Sequence, residues 1–234
     1  MIGVFDESLS KDYIMNGQSK DKAPKLYLLT NDDEIDTLLD KLQRAFETGA
    51  VSLLQIRRKA TLKQYDLATV YREAELIISL ANDYDVGVVI NEDLELASHF
   101  GTGLHLGKRD GNVRVAREIL GDDAIIGTSC YADIALFKEA KREGASYGSM
   151  GTIFASITKP RASIIPRAIL NRATQVALPL CAIGGIALDN IYQLRDDLNG
   201  HAIEYIAVSS DIMGHSSDSI ASKCQAWRNK LENW

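Results

Sequence analysis

The sequence predicts an α/β protein built as a single (β/α)8 TIM barrel behind a polar N-terminal extension, and three observations carry that expectation. The chain has 234 residues, a length that suits one closed barrel. From Lys25 onward, short apolar runs alternate with amphipathic stretches. Polar and charged residues collect directly after those runs, where a parallel barrel places its chemistry.

The elements follow in order. Residues 1–24 are polar and carry no sustained period, so they are read as an extension, and 25–234 as the barrel. LYLL at Leu26 is the first strand. Ile35, Leu38, Leu39, Leu42, Ala45 and Phe46 then fall at helical spacing. The alternation continues through VSLLQI at Val51, VGVVI at Val86, LHL at Leu104, AIIG at Ala124, YGSMGTIF at Tyr147, LCAIGGI at Leu180 and YIAVSS at Tyr205, roughly eight strands in all. Helices are expected over 62–84, 113–120, 134–143, 166–176, 189–198 and 217–231, with only a short one around 94–97. Near-continuous Val, Ile and Leu suit strands covered on both faces. An open doubly wound sheet gives the same pattern, so periodicity alone does not establish closure.

Composition narrows the function classes. With 46% hydrophobic and 25% charged residues, the chain can fill a sizeable core. A net charge of −6 argues against a nucleic-acid surface, which draws on a net basic face. Three scattered cysteines with no CxxC pair make neither a disulfide framework nor a zinc site. No apolar run approaches a membrane span and no signal-peptide core is present, so a cytoplasmic protein without membrane partners is expected. The oligomeric state is open, and a homo-oligomer is compatible with the sequence.

The strand ends carry the chemistry. Alternation sends Gln55, Arg57 and Lys59 to one side of the second strand, toward the barrel mouth. They would meet an anionic or hydrogen-bonding ligand there, unless they are solvated loop charges. Asn91-Glu92-Asp93 and Lys108-Arg109-Asp110 end the third and fourth strands. Carboxylates at neighbouring strand ends can share Mg2+, which takes one or two carboxylates plus phosphate oxygens. They can equally cap the helices that start there. Ser129-Cys130-Tyr131 follows the fifth strand and Ser156, Thr158 and Lys159 the sixth; hydroxyls and a lysine there are ready phosphate ligands or ordinary turn residues. Gly184-Gly185 after the seventh strand and Ser209-Ser210 after the eighth occupy the usual phosphate loops of this fold. His105 reads as a satisfied core or rim residue, and Cys130 as a packing residue, since neither has a suitably spaced partner.

Taken as an ordered set, these motifs resemble the thiamine-phosphate synthase family and its thiazole tautomerase relatives, from about Leu26 to about Met213. The family's QxRxK is matched by Gln55, Arg57 and Lys59, its strand-three Asn by Asn91, and its GxHLGxxD by Gly103, His105, Leu106, Gly107 and Asp110. Its strand-five Ser is matched by Ser129, its TxTK by Ser156, Thr158 and Lys159, its IGGI by Ile183, Gly184, Gly185 and Ile186, and its late serine by Ser210. The resemblance implies a transferase that couples hydroxymethylpyrimidine diphosphate to thiazole phosphate, releasing diphosphate and forming thiamine phosphate. It assigns Gln55, Arg57, Lys59, Asn91, Ser129 and Lys159 to the pyrimidine diphosphate, and Glu92 and Asp110 to Mg2+. The thiazole phosphate would meet Ser156 and Thr158, with its phosphate at Gly185, Ser209 and Ser210. Arg57, Lys59, Ser129 and Lys159 are then the catalytic set.

The departures are specific. Glu92 stands for the family's first metal Asp, with Asp93 beside it as the other candidate ligand. Ser149-Met150-Gly151-Thr152-Ile153-Phe154 replaces a glycine-rich GxGPxF stretch, and Tyr131 stands where the tautomerase relatives carry a proton-moving histidine. Two alternatives remain beside synthase activity: an isomerase acting on the thiazole phosphate alone, and an inactive barrel that binds thiamine-related phosphates.

Overall fold

A computed structural model describes residues 23–59, 66–155, 163–198 and 203–234. Of the expected extension, residues 1–22 lie outside the described residues.

Eight parallel strands close on themselves in sequence order: β1 (Lys25–Leu29), β2 (Val51–Ile56), β3 (Gly87–Asn91), β4 (Gly103–Leu106), β5 (Ile126–Tyr131), β6 (Tyr147–Met150), β7 (Leu180–Ile183) and β8 (Tyr205–Val208). β1 pairs with both β2 and β8, which settles closed barrel against open sheet. The described helices are α1 (Ile35–Phe46), α2 (Leu67–Asp83), α3 (Leu94–Phe100), α4 (Val113–Leu120), α5 (Ile134–Arg142), α6 (Arg167–Ala173), α7 (Ile191–Asp197), α8 (Ser210–Met213) and α9 (Ser217–Glu232).

Two cores follow from strand alternation. Outward residues such as Leu26, Leu28, Leu54, Ile56 and Ile90 pack under the helices with Leu38, Leu42, Ile77 and Trp227. Inward residues Tyr27, Leu29, Leu53, Val89, Tyr147, Cys181 and Ala207 fill the barrel itself. Asp66, Asp93, Asn112 and Asp133 cap their helices by accepting from backbone N–H groups of the first turn.

Several boundaries differ from expectation. β5 starts at Ile126, because Ala124 and Ile125 lead into the strand, the Ile125 carbonyl accepting from Leu104 N. β6 stops at Met150: beyond it Ile153 and Phe154 donate their N–H groups to Ile183 and Gly184 carbonyls, tying this apolar stretch to the loop after β7 rather than to a strand ladder. β7 stops before Gly184 and Gly185, whose φ angles of 100° and 68° are left-handed. A side chain at Gly185 would collide with the carbonyls of Phe154 and Ala155. Ser210 opens α8, a helix too short to show a period in the sequence. The helix expected from residue 62 is seen from Leu67, residues 60–65 lying outside the described residues, and the short one near 94–97 extends to Phe100.

Candidate active site

The strand ends surround a cavity of about 360 Å³ at the carboxyl end of the barrel. Its walls include Gln55, Arg57 and Lys59 from β2 and its loop, and Asn91 and Glu92 from β3. Ser129, Gly185, Ser209 and Ser210 complete the set of expected residues that line it. Asp110 lies just outside, in a groove of about 540 Å³ that shares Lys59, Glu92, Gly107 and Tyr131 with the cavity. Ser156, Thr158 and Lys159 lie outside the described residues.

The cationic rim is held from below. Arg57 N donates to Thr30 Oγ1 at 2.8 Å. Arg58 turns away from the cavity and is buried, with Nη2 at 2.8 Å from Glu73 Oε2 and Nη1 at 3.0 Å from the Asn31 carbonyl. Losing either partner of such a buried pair leaves an uncompensated charge, so Arg58 fixes the loop that carries Arg57 and Lys59. Of the three consecutive basic residues, the middle one is structural.

Glu92 is the acidic counterpart. Its backbone is left-handed, φ 69°, at the end of β3, and its carboxylate takes both oxygens to Lys59 Nζ at 2.9 and 3.1 Å. Burial pushes its carboxyl up, but the hydrogen bond and charge of Lys59 outweigh this and hold it below its ordinary value. Asp93 faces elsewhere: its Oδ1 accepts from Leu96 N at 2.9 Å as the cap of α3.

Glu92 and Asp110 converge over Gly107. A Cβ at Gly107 would collide with Asp110 Oδ2 and lie 3.5 Å from Glu92 Oε1, so the missing side chain keeps the space between the two carboxylates open. Hard oxygen donors on one side of such a space fit Mg2+. Among the described residues no group of three or more His, Cys, Asp or Glu gathers as a metal site; phosphate and water oxygens would have to complete the shell.

Deeper in the barrel, His105 is buried with both ring nitrogens engaged: Nδ1 is 2.8 Å from Tyr147 Oη and Nε2 3.0 Å from Ser129 Oγ. Burial lowers it to about 4, against a weaker upward pull from Glu92. Tyr27 Oη is 2.8 Å from Tyr147 Oη and accepts from Gln55 Nε2 at 2.8 Å. In the sequence, Tyr27 and Tyr147 stand out only as strand residues and Ser149 only within the stretch that replaces GxGPxF, with no site role. The alternation that places Gln55 inside also places them there, so the signal was present. Cys130 is buried, and burial first and Asp133 second push its thiol up to about 12, which leaves it a packing residue.

The fold has counterparts among solved structures. A thiamine phosphate pyrophosphorylase from Pyrococcus furiosus matches with a TM-score of 0.72 at 27% identity, over 89% of this chain and 96% of that one. An orotidine 5'-monophosphate decarboxylase from Methanocaldococcus jannaschii, at 13% identity with a TM-score of 0.61 over 89% and 98% of the two chains, shares the fold alone. The family model for thiamine monophosphate synthase matches residues 26–212. Because that match runs from the first strand into the short helix after the eighth, the chain belongs to the thiamine monophosphate synthase family.

Proposed function

We propose that this barrel joins hydroxymethylpyrimidine diphosphate to thiazole phosphate, releasing diphosphate and forming thiamine phosphate. The observation that carries the reading is the convergence of Arg57, Lys59, Glu92 and Asp110 at one mouth, at a cavity of about 360 Å³ lined by both polar and apolar side chains. Family membership supports it.

In the proposed reaction the bond between the pyrimidine methylene and the diphosphate oxygen breaks, and both electrons leave with the diphosphate. The thiazole nitrogen lone pair then forms the new C–N bond to the methylene carbon. No group need take a proton from the reacting carbon. The protein's task is to hold the leaving charge and align two partners, which is electrostatic preorganisation with proximity.

Arg57 and Lys59 would bring positive charge from the cavity wall to the departing diphosphate. Lys159 would add to it. Lys59 already neutralises Glu92, so an arriving anion would compete for the same ammonium and turn it toward the cavity. Mg2+, when bound, would be held by Glu92 and Asp110 and would neutralise part of the diphosphate charge. Asn91, buried at the end of β3, and Gln55 and Ser129 bring neutral polar groups to the same wall. Gly185, Ser209 and Ser210, which line the cavity, would take the thiazole phosphate, and the family resemblance assigns Ser156 and Thr158 to the same substrate.

Arg57→Ala should lower the rate of diphosphate formation by roughly a hundredfold or more, the scale for removing one preorganised charge stabiliser, while thermal melting stays cooperative. An unchanged rate removes Arg57 from the leaving group. Glu92→Gln should raise the Mg2+ concentration needed for half-maximal rate, whereas Asp93→Asn should weaken only the α3 cap. The reverse outcome moves the metal ligand to Asp93.

A further inference from the structure

Five side chains form an unbroken hydrogen-bonded path across the barrel interior: Gln55, Tyr27, Tyr147, His105 and Ser129, with every link between 2.8 and 3.0 Å. Gln55, His105 and Ser129 line the cavity. Tyr27 and Tyr147 precede cavity-lining Leu29 and Ser149 by two residues on their strands, so they sit one inward layer deeper. Tyr27 and Tyr147 are no more than 1% exposed, and their rings meet edge to face at 5.8 Å. Room for the Tyr147 ring exists because its neighbour across the β5–β6 pair is Gly127; a Cβ there would overlap the ring and its hydroxyl.

The path has a direction. Gln55 Nε2 donates to Tyr27 Oη, so the Tyr27 hydrogen must go elsewhere, and Tyr147 Oη is the partner within reach. The Tyr147 hydrogen is then left for His105 Nδ1, which must be a bare acceptor. His105 therefore carries its proton on Nε2 and donates it to Ser129 Oγ. With the Gln55 amide in this orientation, any other arrangement strands a buried hydroxyl hydrogen, which costs free energy. At the end of the path the Ser129 oxygen is occupied as an acceptor, and its own hydrogen is free to point into the cavity.

We propose that Tyr27, Tyr147 and His105 are positioning residues: their relay locks His105 in the Nε2–H tautomer and so turns Ser129 into a hydrogen-bond donor toward an anionic ligand oxygen. The opposite polarity would have Ser129 donate to the ring and present lone pairs to the cavity, which repels a phosphate oxygen. The relay also keeps the interior uncharged, because a buried imidazole held between a hydroxyl donor and a hydroxyl acceptor has no counter-charge hydrogen-bonded to it, and the pull of Glu92 is weaker than the cost of burial. The ligand side of this inference rests on the diphosphate reading above. The tautomer itself does not.

The test is nitrogen-15 NMR of the histidine rings in the full chain, with the His105 ring assigned through its own backbone. The expected signature at neutral pH is a protonated Nε2 and a bare Nδ1. In Tyr147→Phe, which removes the hydroxyl that pins Nδ1, the single tautomer should give way to a mixture. The affinity for inorganic diphosphate with Mg2+ should also fall about tenfold, the scale for losing a hydrogen bond to a charged acceptor. Adding Ser129→Ala to that background should cost little more. A protonated Nδ1 in the unsubstituted protein overturns the relay even if Tyr147→Phe fails to fold, and so does an unchanged tautomer in a folded Tyr147→Phe. If the Nε2–H form is found but inorganic diphosphate does not bind at all, the relay is supported and the proposed reaction falls.

Discussion

At the residue scale, the mouth and the interior of this barrel divide the electrostatic work. Charge stays at the rim, where Lys59 and Glu92 are each more than a third exposed, and the described side chains that fill the interior, apolar or hydrogen-bonding, carry no charge. His105 makes this division measurable. Its folded value of about 4 lies below the ordinary 6.5, so between those limits the unfolded chain takes up a proton that the folded one refuses. Stability from this group is therefore complete above pH 6.5 and declines as pH falls toward 4, by about 3 kcal/mol at most. Glu92 is the charged group that acts against this shift. In urea denaturation, the loss of stability between pH 7 and pH 4.5 should be smaller for His105→Gln than for the unsubstituted protein, since an amide can donate and accept without titrating. Equal losses would mean that His105 is not held neutral.

At the scale of elements, what could be read from the sequence depended on whether burial imposed a period. All eight strands were legible because both faces are covered, so each reads as an apolar run, and the long amphipathic helices were legible for the complementary reason. The apolar residues Ile153 and Phe154 misled, since Ile153 is buried and Phe154 partly buried by pairing with the loop after β7 and not by extending β6. α8 was invisible because four residues cannot display a helical period. Tertiary bonds hold it instead: Asn31 Nδ2 and Lys41 Nζ donate to the Met213 carbonyl at its C-terminal end, and Trp227 Nε1 donates to Asp211 Oδ2 at 2.8 Å. Among the site residues, Gln55, Arg57, Lys59, Asn91 and Ser129 could be placed by alternation and strand-end logic. The choice of Glu92 over Asp93 as the cavity-facing carboxylate could not, because it turns on a left-handed backbone at Glu92 and a helix cap at Asp93. The β5–β6 pair offers a direct check on the interior packing. Gly127→Ala should destabilise the fold by about 1–3 kcal/mol, as overpacking does, with the displaced Tyr147 ring visible as a changed aromatic circular dichroism signal. A neutral substitution would show that the ring does not cross over Gly127.

At the scale of the whole molecule, closure of the sheet is what brings residues from distant parts of the chain to one rim. Lys59 and Glu92 meet although 33 positions separate them, and Tyr27 reaches Tyr147 across 120. Among the described residues no helix is long and apolar enough to cross a membrane, and the net charge of −6 leaves anion capture to the local basic rim. The most direct measurement supplies the full chain with Mg2+, hydroxymethylpyrimidine diphosphate and thiazole phosphate, and follows thiamine phosphate and diphosphate together, with a chelator control. One-to-one formation of both products, abolished by the chelator, is the expected result. Binding of either substrate with no thiamine phosphate formed would contradict synthesis at this site and leave a phosphate-binding barrel in its place.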